Sequence, residues 1–318
     1  MCTALSVNWD GLYFGRNLDY EKGYGECVLI TPAGFEFKRE NDFKTKYKII
    51  GMAHMEEEYP LYYDAANEKG LCIAGLNFVG NAKYQNPVPG KENITQYEFI
   101  PWLLGNFESV GEFLKISDRL NITGIPFAEK MPSAQLHWLI SDRENCITLE
   151  CRENGINITE NKVGVLTNNP PFEYQMYNLS NYMSVTAEIP ENRFSENLKL
   201  IPYSRGMGGI GLPGDLSSES RFVRAAFVKE NSICGNSESE KVTQFFKILD
   251  SVSQQRGCCK TDGGYEITIY SSCFSFESKT YYYKTYGNSR IKAVRMSDEN
   301  ELTAFAVPEE NQDILYQN

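Results

Sequence analysis

The first twenty residues constrain this chain more than any other stretch. Cys2 stands directly behind Met1, and residues 3–7 have the composition of a strand. Asn8-Trp9-Asp10-Gly11 then ends in Asp-Gly, a strong hairpin-turn pair, and residues 12–17 supply a second strand. Such a hairpin commits the N-terminus to an antiparallel sheet and brings Arg16 to Asp19 back beside Cys2. A residue as small as cysteine at position two lets Met1 be trimmed, which leaves a thiol and a free α-amine on one residue. Reference pKa values are about 8.5 for the thiol and about 7.7–8.0 for the amine, so the amine can act as a base near neutral pH. Arg16 can then favour the thiolate, and Asp19 can hold the terminal ammonium. Taken singly, Cys2 reads as a buried strand thiol and Arg16 with Asp19 as a surface ion pair.

The rest of the chain alternates between strand runs and a few capped helices. Residues 26–31, 47–53 and 71–78 read as strands, with a charged, solvated excursion over 38–48. Thr95-x-x-Glu98, Ser109-x-x-Glu112 and Ser237-x-x-Glu240 are capping-box patterns. They predict helices near 96–107, 110–120 and 238–254. Residues 124–132 read as loop. Strands over 136–141, 145–151, 155–159 and 163–167 form a meander, which argues for antiparallel pairing. Asn169 before Pro170-Pro171 resembles a helix N-cap with proline at N1, opening a helix over 171–183. Residues 186–215 hold no strong element. The glycine run Gly206 to Gly211 lacks the strand, the Lys-Ser/Thr pair and the acid of a nucleotide loop. Strands follow over 265–271, 279–286, 290–296 and 302–307. The whole reads as one α+β domain over 1–318.

Charge and composition exclude several classes. The 318 residues carry 31 basic and 42 acidic side chains, a net charge of −11, with no basic block, so nucleic acid is not an expected partner. No apolar run approaches the roughly 20 residues of a membrane span, and no signal segment precedes Cys2, so a cytoplasmic protein is expected. Nine cysteines include no CxxC pair, and Cys258-Cys259 are adjacent, so reduced packing thiols are expected. With only His54 and His137, the chain is a poor zinc hydrolase and a poor Cys-His enzyme. His137 sits in an apolar strand and reads as core. His54 sits beside three glutamates and reads as near solvent. No metal or cofactor is expected.

Cys2-Thr3 followed by Phe14-Gly15-Arg16-Asn17-Leu18-Asp19 resembles the opening of the choloylglycine hydrolase family, which contains bile salt hydrolases and penicillin V acylases. Later landmarks continue the resemblance along nearly the whole chain. They are Asn67-Glu68-Lys69-Gly70-Leu71, Ala74-Gly75-Leu76-Asn77-Phe78, Leu166-Thr167-Asn168-Asn169-Pro170, Gly211-Leu212-Pro213-Gly214-Asp215 with Ser220-Arg221-Phe222, and Tyr281-Tyr282-Tyr283. The resemblance implies an N-terminal-nucleophile amidase on a four-layer αββα sandwich. It also implies Asn168 and Asn77 as oxyanion donors and Arg221 in the polar network around Cys2 and Asp19. From the residues themselves, Asn168 lies near a predicted helix start, where partial positive charge gathers, and Asn77 ends a buried strand.

The same resemblance implies conjugated bile salts as substrate, because the bile salt hydrolases tend to have asparagine at Asn77 where penicillin V acylases have an aromatic. It places Leu18, Tyr20, Tyr24, Phe127 and Met131 in the substrate wall, though each also fits as plain core. Penicillin V acylase or acyl-homoserine-lactone acylase activity, or a non-catalytic bile-acid binder, are the alternatives. A homotetramer is implied as well, with the 186–215 segment projecting to a neighbouring subunit.

Overall fold

The computed structural model describes residues 1–308 and 317. Two antiparallel sheets carry the chain. The first contains β1 (Cys2–Asn8) and β2 (Leu12–Tyr20), and the second contains β3 (Cys27–Thr31), β4 (Ile49–Glu56), β5 (Tyr59–Asn67) and β6 (Cys72–Asn77). β7 (Leu136–Ser141), β8 (Cys146–Arg152) and β9 (Gly155–Glu160) extend the second sheet. β10 (Val165–Leu166), β11 (Ile267–Ser275), β12 (Thr280–Thr285) and β13 (Asn288–Arg295) complete the first, and β14 (Thr303–Ala306) returns to the second. The strand orders are β10-β1-β2-β11-β12-β13 and β9-β8-β7-β6-β5-β4-β3-β14.

Helices cover the outer faces. α1 (Phe99–Asn106) packs on β5 and β6, with α2 (Val110–Leu114) beside it in the same apolar cluster. α4 (Ser218–Asn231) and α5 (Glu238–Asp250) pack on β1, β2 and β11 from the other side, with α3 (Phe172–Leu179) against α4. The order is therefore helix, sheet, sheet, helix, the expected αββα sandwich. One apolar cluster fills the space between the sheets and runs under α4 and α5, and the second lies under α1 and α2.

Strand periodicity assigns the N-terminal residues to two faces. Ser6 Oγ meets Ser141 Oγ of the opposite sheet at 2.7 Å, so Cys2, Ala4 and Ser6 face inward between the sheets. Arg16, Leu18 and Tyr20 share one face of β2, and Arg16 reaches the carbonyls of the opposite sheet. Asn17 and Asp19 face the helices, and Asn17 Nδ2 donates to Leu249 O at 2.9 Å. Two register shifts then re-aim side chains, as bulges do. One in β11 between Thr268 and Tyr270 sets Thr268 opposite Asp19 and Tyr270 opposite Leu18. The other pairs Met52 with Asp64 and Ala53 with Tyr62, which leaves Tyr63 as the extra residue.

Several sequence expectations are corrected. β5 was not expected as a strand, nor was the parallel pair of Glu92–Thr95 with Leu120–Thr123. The Thr95-Glu98 pattern is not a capping box. α1 starts at Phe99, and the buried Glu98 carboxylate is taken by Glu40 N–H, Asn41 N–H, Asn41 Nδ2 and Thr95 Oγ1, which pin the 38–48 excursion. The helix expected over 110–120 ends at Leu114 and resumes only as a 3-10 turn at Ser117–Arg119. Asn169 is not the cap of α3. Its Nδ2 donates to Val79 O at 2.8 Å, and the helix begins at Phe172. The Ser237-Glu240 box is present in full. α4 was missed, and residues 186–215 contain only the 3-10 turn Met207–Gly209.

Candidate active site

Cys2 sits at the start of β1, 2% exposed, on the wall of a cavity of about 260 Å³. Arg16, Leu18, Asp19, Tyr20, Tyr24, Asn77, Phe127 and Met131 line the same cavity, so nine of the eleven expected residues meet in one place. The other two, Asn168 and Arg221, lie beneath Cys2 and bond to it. A larger hollow of about 1000 Å³, lined in part by Ile156 and Ile158, contains none of these residues.

Asn168 binds both ends of the arrangement. Its Oδ1 accepts the Cys2 N–H at 2.7 Å and Arg221 Nη2 at 2.8 Å. Its Nδ2 donates to the Asn77 carbonyl at 2.7 Å. A side-chain amide nitrogen carries two hydrogens, so one remains. Ser218 Oγ accepts the Asn168 N–H at 2.8 Å, and Gln175 Nε2 donates to the Asn168 carbonyl at 2.7 Å, so the residue is fixed from both sides. The Asn77 N–H points the same way as its carbonyl. Phe78 N–H bonds Gln135 O directly across the strand pair, so the neighbouring Asn77–Leu136 pair is the non-bonded kind. Both main-chain groups of Asn77 therefore turn away from β7, toward Asn168 and the cavity.

Arg221 is 1% exposed and lies in the polar network around Cys2, as the resemblance implied. It spends Nε on Leu216 O and Nη1 on Cys2 O and Thr3 Oγ1, at 3.0, 2.5 and 2.7 Å. Burial pushes its pKa down, opposed chiefly by Asp19 and Cys2. Arg16, equally buried, donates Nη1 to Gly75 O at 2.5 Å and Tyr63 O at 3.2 Å, while its Nη2 has no hydrogen-bond partner. Burial lowers its pKa too, but Cys2, Tyr270, Asp64 and Asp19 outweigh that and hold it above its ordinary value. Asp19 receives Thr268 Oγ1 at 2.6 Å, and its Oδ2 is buried without a hydrogen bond, 4.0 Å from Arg221 Nη1. Burial raises the Asp19 pKa, against the pull of Arg221 and the terminal ammonium. Met1 occupies the end of this row. Its carbonyl accepts Asp19 N–H at 2.9 Å, and its ammonium donates to Asp19 O at 2.8 Å.

Two acids and two histidines complete the surroundings. Asp64, 1% exposed, accepts Tyr270 OH at 2.5 Å, Tyr281 OH at 2.6 Å and Ser272 Oγ at 2.9 Å, and Ser272 Oγ takes the Arg16 N–H. Glu266 pairs with the Met1 ammonium. Neither acid was expected. A lone aspartate in the apolar run 59–67 was the available signal for the first, and nothing local marks the second. His137 is a core residue as expected, donating Nε2–H to Thr167 O at 2.8 Å and stacked on Phe78. His54 is half-buried beside the exposed Tyr24 and Met55. It lines the Cys2 cavity with Nδ1 2.8 Å from Tyr63 OH, and burial lowers its pKa. Among the described residues no cluster of His, Cys, Asp and Glu could hold a metal ion.

Comparison with known proteins gives one family. The sequence model for linear amide C–N hydrolases, choloylglycine hydrolase family, matches residues 2–313. The chain is 53% identical over 303 residues to a bile salt hydrolase/transferase of Lactiplantibacillus plantarum, covering 94% of each chain. Its fold matches the crystal structure of the C2A mutant of the conjugated bile acid hydrolase from Clostridium perfringens, with TM-score 0.92, 34% identity and 100% of both chains. A penicillin V acylase from Agrobacterium tumefaciens shares the fold at TM-score 0.74 and 18% identity, over 93% of this chain and 86% of that one.

Proposed function

The chain belongs to the choloylglycine hydrolase family of linear amide C–N hydrolases, and from that premise we propose that it cleaves glycine- or taurine-conjugated bile salts into free bile acid and amino acid. The observation that carries this reading is the continuity of the Cys2 cavity with an aromatic and apolar wall: Leu18, Tyr20, Tyr24, Phe127 and Met131. Burying a large apolar acyl group there returns about 25 cal/mol per Å². The half-exposed Tyr24 marks the mouth, where the part of a large acyl group that 260 Å³ does not admit stays outside. The family also contains penicillin V acylases, so phenoxyacetyl amides are the competing substrate.

The chemistry starts once Met1 has been removed. The freed Cys2 amine is held by Asn168 Oδ1 and by the unpartnered Asp19 Oδ2. It takes the thiol proton, with Arg16 favouring the thiolate through its unpartnered Nη2. The sulfur attacks the amide carbon, and the oxyanion rests on the second hydrogen of Asn168 Nδ2 and on the Asn77 N–H. The ammonium then protonates the leaving nitrogen. Water, activated by the same amine, hydrolyses the thioester. Arg221 holds the Cys2 carbonyl and Asn168 in register throughout.

The test is release of glycine or taurine from glycocholate and taurocholate, beside release of phenoxyacetate from penicillin V. Conjugates should be cleaved with the higher kcat/KM, and Cys2→Ser should stay folded and lose nearly all turnover. Cleavage of penicillin V with neither conjugate touched sinks the substrate assignment.

The reading extends to assembly. We take the whole chain to work as one domain in a cytoplasmic homotetramer, with no nucleic-acid or membrane partner, and with residues 186–215 embracing a neighbour. In support, exposed apolar side chains concentrate in and just before that segment: Tyr177, Met183, Phe194, Ile201, Tyr203 and Ile210. No helix of the described residues is long and apolar enough to cross a membrane.

A further inference from the structure

The mechanism above employs Asp19, Asn168 and Arg16 around Cys2 and leaves one buried acid at the same terminus without a task. Glu266, 4% exposed, precedes β11. Its carboxylate pairs with the α-ammonium of Met1, which also donates to the Asp19 carbonyl at 2.8 Å. The acid is held in place from behind. Its N–H bonds Cys259 O at 2.9 Å, and Cys259 Sγ donates to its other oxygen at 3.5 Å. A primary ammonium therefore sits in a socket of one carboxylate and one peptide carbonyl. That socket is one residue, about 3.8 Å of chain, from Cys2.

The neighbouring charged groups bond elsewhere than Glu266, with Arg16 Nη2 and Asp19 Oδ2 left open toward Cys2. Arg221 is spent on Leu216, Cys2, Thr3 and Asn168, and Arg16 on Tyr63 and Gly75. The Asp19 carboxylate bonds Thr268 and faces Arg221. Among the described residues, Met1 supplies the cation that Glu266 is paired with. Asp19 lines the Cys2 cavity and bonds Met1 through both main-chain groups, so the socket adjoins a residue of the cavity wall.

We propose that Glu266 and the Asp19 carbonyl form the amine subsite of the enzyme. In the trimmed chain they bind the primary ammonium of the amine half of the scissile amide. This rests on the reading of Cys2 as the trimmed nucleophile. The group that leaves by this route can also return by it. When a primary amine attacks the Cys2 thioester, the C–S bond breaks as the C–N bond forms. The ammonium nitrogen gives up two protons, one to the Cys2 sulfur and one through the Cys2 amine to water. Water competes for the same thioester, so Glu266 sets the partition between free acid and new amide.

The experiment uses trimmed enzyme, checked by intact mass, with glycocholate as acyl donor and taurine as acceptor. Taurocholate and cholate are quantified together over a range of taurine concentrations. Their ratio comes from one thioester and does not depend on how fast it forms. In the wild type the ratio should rise and saturate. Glu266→Gln should lower it about tenfold at low taurine, the scale of a lost charge-assisted hydrogen bond, with Glu266→Asp between. A second arm needs no variant: taurine should inhibit transfer to a competing amine, and ethanesulfonate, which lacks the amine, should not. An unchanged ratio in Glu266→Gln, no taurocholate at any taurine concentration, or equal inhibition by ethanesulfonate overturns the subsite. Absence of cholate from the wild type overturns the proposed function instead.

Discussion

Asn168 is the residue in which binding and chemistry separate most cleanly. Its oxygen holds the Cys2 nitrogen and Arg221, and its nitrogen carries the hydrogen assigned to the oxyanion. Asn168→Asp keeps the acceptor and loses the donor. Both Asn168→Asp and Asn168→Ala should therefore cost on the order of 10²–10³ in kcat, with KM for a conjugate little changed. Steady-state kinetics decides it: near-normal kcat in Asn168→Asp moves the oxyanion hole elsewhere. The sequence made this residue visible through its motif, as it did Cys2, Arg16, Asp19, Asn77 and Arg221. It did not make Thr268 or Glu266 visible, and it marked Asp64 only as a lone acid in an apolar run. Thr268 meets Asp19, and Asp64 meets Tyr270 and Ser272, through register shifts that no residue type announces. Glu266 acts through a chain end 265 positions away.

At the scale of elements, α4 matters because it delivers Arg221, and its start is tied to Asp215. Ser217 and Ser220 hydrogen bonds hold the Asp215 carboxyl down at about 2, from an ordinary 3.8. A folded pKa below the unfolded one means support that is present above about pH 4 and fades as pH falls toward 2. The side chain is exposed, so screening keeps the effect small. Asp215→Asn should lower Tm at pH 7, and the gap to wild type should narrow as pH falls from 4 to 2. Melts followed by circular dichroism over that range check the sign, and a constant gap removes the assignment. Local patterns foretold this level unevenly. Ser237-Glu240 caps its own helix, with the Glu240 carboxylate bonded back to Ser237 N–H and Oγ. Glu98 is claimed by Glu40 and Asn41 from a distant loop, a tertiary contact that overrides the cap. β5 holds Pro60 near its start and Asp64 at the register shift, and neither residue type favours a strand.

For the whole molecule, periodicity indicated antiparallel sheets, while their layering followed from family resemblance, since facing partners leave no local trace. The exposed apolar side chains between Tyr174 and Ile210 support the proposed assembly. Light scattering at micromolar concentration should give a tetramer mass, and a monomer mass contradicts it. The central claim is that Cys2 works only as a chain terminus. Met1 now occupies the space beside Asp19 and turns the Cys2 amine into an amide. Protein purified with Met1 retained should be folded and inactive toward glycocholate. Aminopeptidase treatment should restore turnover in proportion to the fraction of chains that intact mass shows to begin at Cys2. Full turnover by chains that still carry Met1 would contradict the account.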